Sequence, residues 1–401
     1  MSDADGIDVV VDCARRRLGE VPPLDLLAAP RRSRDRLGLD LTANRIWRLP
    51  PARLATAEAI DGLRRVDLSS NSLRTLTGDG AFAASFGGDL EVLLLDGNGI
   101  GHVESGAFSG LTKLRRLSLA ANRLWSLDGG LIHGLPVSLR ALDLSKNLIE
   151  TIPAYAFSVL ENLRNLTLTR NRIKFVHATA FGAPSASDDA DDECIHVKSN
   201  HSIDEDRSTY QPEAVDGTAM VGDTGWSEKS SLRNVDLSYN LLRMVPCLGA
   251  AAVTLQNVVL DGNPLRHLRS GAFRSLPRLR DLSLAALPQL LLIDANVFVD
   301  LPRLRVLRLH DNRRLAYLDP EALGRGVRGG PTLRQLSLHN DALLAVPSLE
   351  SANDDDDESL PLWISLFALA LDHPSRSRSG SVPPETRFTA TATCAGCATP
   401  S

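Results

Sequence analysis

Metal binding, nucleophilic attack and proton transfer in this 401-residue chain would fall to its five Cys, nine His and 49 Asp/Glu. Cys394-Ala-Gly-Cys397 is a Cys-x-x-Cys pair. A zinc ribbon needs a second such pair to close a tetrahedral site, but Cys13, Cys194 and Cys247 each stand singly. Cys194, His196 and His201 are close in sequence, but they lie in an acidic, Leu-free stretch where a solvated loop is the stronger reading. An odd cysteine count leaves missing sequence, intermolecular pairing and free thiols open, and does not fix the redox compartment. There is no phosphate-cradling Gly-Lys-Ser/Thr loop, no Gly-x-Ser-x-Gly elbow and no His-Glu-x-x-His. No enzymatic activity, cofactor or metal is therefore expected. Two acceptor motifs for N-glycosylation occur, Asn165-Leu-Thr167 and Asn200-His-Ser202.

The elements that would carry these residues show in the leucines. Leu supplies 68 residues, and none falls between Thr169 and Ser231. On either side of that gap the chain follows Leu-x-x-Leu-x-Leu-x-x-Asn-x-Leu, as in Leu90, Leu93, Leu95, Asn98 and Ile100. The Asn column holds Asn44, Asn71, Asn98, Asn122, Asn147, Asn171, Asn240, Asn263 and Asn312, with Leu287 and Asp341 in two further copies, making 11. Spacings run from 23 to 29 residues except for one of 69, between Asn171 and Asn240.

In Leu-x-Leu, alternate side chains point the same way, which describes a short strand with one buried face. One such strand cannot bury its Leu row alone, whereas stacked copies form a parallel sheet over a continuous core. The Asn column is read as structural, its amides satisfying backbone groups where the chain turns away from the sheet. Asp40, Asp67, Asp143 and Asp236, with Ser69, Ser145 and Ser238, recur at fixed repeat positions and are read as filling rather than as catalysts. A second column, ten or eleven residues after each Asn, holds Phe82, Phe108, Ile132, Phe157, Phe181, Phe273, Phe298 and Leu323 and predicts a ring stack on the convex side.

These residues resemble the typical 24-residue leucine-rich repeat with its Gly-Ala-Phe-x-x-Leu segment, the subclass of Toll-like receptor ectodomains and chaoptin-like insect adhesion proteins. The resemblance covers about two-thirds of the chain. It implies an α/β solenoid, a leucine-rich-repeat horseshoe of 11 repeats with its parallel β-sheet on the concave face. The expected organisation is a degenerate N-terminal cap over 1–36, repeats 1–6 over 37–182, an acidic disordered insertion over 183–229, repeats 7–11 over 230–349, and an acidic run, short apolar segment and disordered tail over 350–401. Val9-Val-Val-Asp12-Cys13, running into Leu18-Gly-Glu-Val21-Pro22, resembles the end of a cysteine-rich cap without its upstream cysteines. A truncated chain and a degenerate cap both fit, and truncation would account for an N-terminus without a signal peptide.

The net charge of −5 is a sum over unlike parts. Residues 183–229 carry −9 and Asp354-Asp-Asp-Asp-Glu358 carries −5, so the rest is near +9. No apolar run reaches the ~18 residues of a membrane-spanning helix. The longest candidate, Leu360–Leu371, contains Pro361 and Ser365.

Binding is expected on the concave face, at strand positions that depart from the repeat consensus. Val92 and Leu94 are apolar where solvent is expected. Arg308, His310, Gln335 and His339 would form a basic, His-bearing patch over the last two repeats. The expected partner is a protein ligand or receptor, with an anionic glycan as second candidate and neither nucleic acid nor a membrane span. The resemblance implies an extracellular or cell-surface recognition module. The alternative is an intracellular leucine-rich-repeat scaffold.

Overall fold

The computed structural model describes residues 7–22, 36–49 and 62–323, apart from 79, 128, 183–229, 249–250 and 275, together with 333–338 and 341. Twelve strands form one parallel sheet whose order follows the chain. The first is Val9–Asp12, which pairs with Leu37–Asp40. Each of the eleven repeats then adds one strand, ending with Gln335–Ser337.

Register explains why the Leu-x-Leu segments end up here. Leu39 aligns with Val66, and the same rank continues through Leu93, Leu117, Leu142, Leu166, Val235, Val258, Leu282, Leu307 and Leu336. From Leu39 to Leu307 every member of this rank is buried. Full burial of such a side chain stabilises by about 1.5–3 kcal/mol, and a parallel neighbour on each side completes it. The strand after the 69-residue spacing, Asn234–Asp236, pairs directly with Asn165–Thr167 without slippage. Sheet and core are therefore continuous across the departure of residues 183–229.

On the opposite side the chain returns through turns, two-residue strands and, among the described residues, two short helices, Ala81–Phe86 and Gly129–His133. The predicted ring stack is present. Phe82 and Phe108 stack with centroids 5.7 Å apart, Phe157 and Phe181 at 5.5 Å, and Phe273 and Phe298 at 5.8 Å. All six rings are buried.

The Asn column does what its chemistry suggested. The Asn122 amide donates to the carbonyls of Leu95 (2.9 Å) and Leu119 (3.0 Å), bridging two repeats. Its Oδ1 accepts from the backbone N–H of Asn98 and Ile100. Asn71, Asn147, Asn171, Asn240 and Asn263 repeat the bridge. Asn44 extends it to the N-terminal segment, donating to the Cys13 carbonyl and accepting from the N–H of Arg16 and Leu18. The residue before each ladder Asn is left-handed, with φ of 54° at Ala121, 53° at Tyr239 and 68° at Gly262.

Candidate functional site

The concave face is built from side chains that alternate with the buried rank. One column runs Arg65, Val92, Arg116, Ala141, Asn165, Asn234, Asn257, Asp281, Val306 and Gln335. The next includes Asp67, Leu94, Ser118, Asp143, Thr167, Asp236, Val259, Ser283, Arg308 and Ser337.

Many polar groups of this surface are engaged with the backbone. Oδ1 of Asp40, Asp67, Asp143 and Asp236 accepts the N–H two residues on, tightening the turn after each strand. These carboxylates close turns, in keeping with their reading as filling. Asp96 is buried enough to raise its pKa, against hydrogen bonds from Ser118 and the Ala120 N–H that pull it down. Asn165, Asn234 and Asn257 stack amide to amide on three successive strands.

The sequence-predicted residues fare unequally. Val92 is only 7% exposed, which corrects the expectation of a solvent-facing position. It stands between Arg65 and Arg116 in the sheet. A short side chain between two long ones loses its access to water, and neighbours 27 residues before it and 24 after it are not visible in its own strand. Leu94 is half-buried. Arg308 and Gln335 lie on adjacent strands, both half-buried, but in different columns: Arg308 aligns with Ser337, and Gln335 with Val306. His310 is also half-buried, with its Nδ1 2.8 Å from the Asp311 carboxylate, so the patch is less basic than its sequence suggests. His339 lies outside the described residues, as does Asn200. Asn165 is exposed at the start of its strand, so a glycan there would project over the concave face.

Among the described residues no group of three or more His, Cys, Asp or Glu is placed to hold a metal ion. No helix among them is long and apolar enough to cross a membrane. Cys13 is a free thiol. Cys247 is disulfide-bonded.

Residues 89–138, 113–173, 137–186 and 253–323 match the family described as Leucine rich repeat. The chain is 30% identical over 246 residues to rat Tsukushi, a match covering 58% of this chain and 66% of that protein. The chain carries leucine-rich repeats similar to those of extracellular-type leucine-rich-repeat proteins. It also matches human leucine-rich repeats and immunoglobulin-like domains protein 1, at 31% identity over 37% of this chain and 14% of that one. This leucine-rich-repeat protein thus spans just under two thirds of Tsukushi and a far smaller share of the second relative. Its fold is shared with the mouse RP105/MD-1 complex structure, at a TM-score of 0.50 and 22% identity, covering 77% of this chain and 47% of that one.

One feature of this leucine-rich-repeat protein escaped the sequence reading. The residue after the first Leu of the pattern is Arg64, Arg115, Arg140, Arg164, Arg233, Arg280, Arg305 and Arg334, interrupted by Glu91 and Gln256. The signal was a Leu-Arg dipeptide recurring at this repeat position in eight copies, indistinguishable from consensus filling until the rungs are stacked.

Proposed function

We propose that this chain is a non-catalytic recognition module of an extracellular or cell-surface protein and binds a protein partner on its concave face. One observation carries the reading. Beneath the sheet the rank from Leu39 to Leu336 is Leu or Val throughout, whereas the column above it changes from Arg through Val, Ala and Asn to Asp and Gln. A constant core under a varied, open surface is how a solenoid presents an extended binding face. The disulfide at Cys247 supports an exported setting, because reducing compartments do not maintain such bonds. Leu94, Arg308, His310 and Gln335 are the residues proposed to meet the partner, and Asn165 is a proposed glycosylation position.

A panel of secreted proteins, receptor ectodomains and intracellular proteins, screened against the purified chain, tests this reading. Arg308→Glu combined with Gln335→Glu should weaken the captured interaction at least tenfold while leaving the thermal midpoint unchanged. Undiminished binding would remove the patch, and capture of intracellular proteins alone would favour a scaffold inside the cell.

A further inference from the structure

From Arg140 onward, the residue at the edge of each sheet rung forms a continuous backbone ladder. The N–H of Arg164 bonds to the Arg140 carbonyl, Arg233 to Arg164, Gln256 to Arg233, Arg280 to Gln256, Arg305 to Arg280, and Arg334 to Arg305. This fixes the side chains on successive rungs. Seven rungs at about 4.8 Å span roughly 29 Å and carry six guanidinium groups. All six arginines are exposed, and among the described residues none of the six is in an ion pair.

The N-terminal end of the same column differs. There Glu91 lies 3.0 Å from Arg36, 4.0 Å from Arg64 and 3.3 Å from Arg115, so each of these arginines has a carboxylate partner within the molecule. Like charges on neighbouring strands destabilise a sheet. An uncompensated file of six therefore works against folding, and an anionic ligand would relieve it.

We infer that the file Arg140, Arg164, Arg233, Arg280, Arg305 and Arg334 is a binding ridge for a linear sulfated polysaccharide. A planar guanidinium matches the oxygens of a sulfate or carboxylate with paired hydrogen bonds. A repeating polyanion laid along the ridge meets one such group about every rung. Single-stranded nucleic acid fits less well, because its binders add aromatic platforms for the bases. Among the described residues neither flanking column contains Phe, Tyr or Trp: the outer one includes Ser138, Asn162 and Ser231, the inner one Ala141, Asn165 and Asn234. The choice of a sulfated polymer over other polyanions rests on the exported setting proposed above. The ridge itself is a separate surface from the concave patch.

The test uses the full chain on immobilised heparin, with a single-stranded oligonucleotide and phosphatidylserine vesicles as comparison probes. The ridge variant Arg164→Glu/Arg233→Glu/Arg280→Glu is set against Arg123→Glu/Arg172→Glu/Arg243→Glu, which changes charge equally at exposed positions elsewhere. The native chain should bind heparin with strong salt dependence. The ridge variant should lose at least tenfold in affinity and show a shallower salt slope, the control should stay within twofold, and neither should fall below the native thermal midpoint. Equal losses in the two variants, undiminished binding by the ridge variant, or oligonucleotide or vesicle binding as tight as heparin would overturn the proposal. No heparin binding at all would also overturn it, while leaving the concave-face reading intact.

Discussion

Asp341 stands where the last ladder asparagine belongs, and its chemistry differs in one respect: a carboxylate cannot donate. Its Oδ1 accepts the Asn312 N–H at 2.7 Å, but its Oδ2 is buried without a partner. Burial, with the nearby Asp311 charge, raises its pKa to about 8 against the pull of that hydrogen bond. The folded state thus holds a proton that the unfolded chain releases near pH 4. Its contribution is fully present below that value and is lost as pH rises toward 8. Asp341→Asn supplies the missing donor at every pH, and an unsatisfied buried group costs about 1–3 kcal/mol. The gap in thermal midpoint between Asp341→Asn and the native chain should therefore be small at pH 4 and widen up to pH 8. A gap independent of pH would show that protonation plays no part. The position of Asp341 in the repeat was readable from spacing, but its proton was not, since that depends on water excluded by other repeats.

A repeat is a strand, a ladder asparagine and a ring, and the three do not contribute alike. Asn122 satisfies two carbonyls and two N–H groups in two adjacent repeats. Asn122→Ala leaves buried backbone groups unpaired on both sides and should cost at least 3 kcal/mol. Phe108→Leu keeps most of the apolar volume and should cost about 1–1.5 kcal/mol. Chemical denaturation of both variants measures the order, and a smaller loss for Asn122→Ala would mean that water replaces the ladder. These elements were legible because period, polarity and ring position all point to one geometry. Val92 was not, because its burial is set by Arg65 and Arg116, one repeat away on either side. The arginine file was hidden for the same reason. It exists only between repeats.

Across the whole molecule, the modest net charge of −5 separates into a basic solenoid and two acidic stretches. The solenoid keeps its register where the larger stretch departs. The Ile173 N–H bonds to Asn240 Oδ1 at 3.0 Å, the Asn240 amide donates to the Leu168 carbonyl, and the Thr169 and Ser238 hydroxyls meet at 2.7 Å. These bonds join residues about 70 positions apart as if they were neighbours in consecutive repeats. A limited proteolytic cut within 183–229 should therefore leave the thermal midpoint within a few degrees of the intact chain. Under reducing conditions it should also give two bands on a denaturing gel but a single species in native size exclusion. Separation of the pieces under native conditions would show that covalent continuity, rather than the ladder, holds the halves together. If the cut chain holds, the molecule already contains a cohesive seam. Its two halves, expressed as separate polypeptides, would find each other and dock in one register, giving a split reporter whose complementing surfaces are the ordinary faces of two adjacent repeats.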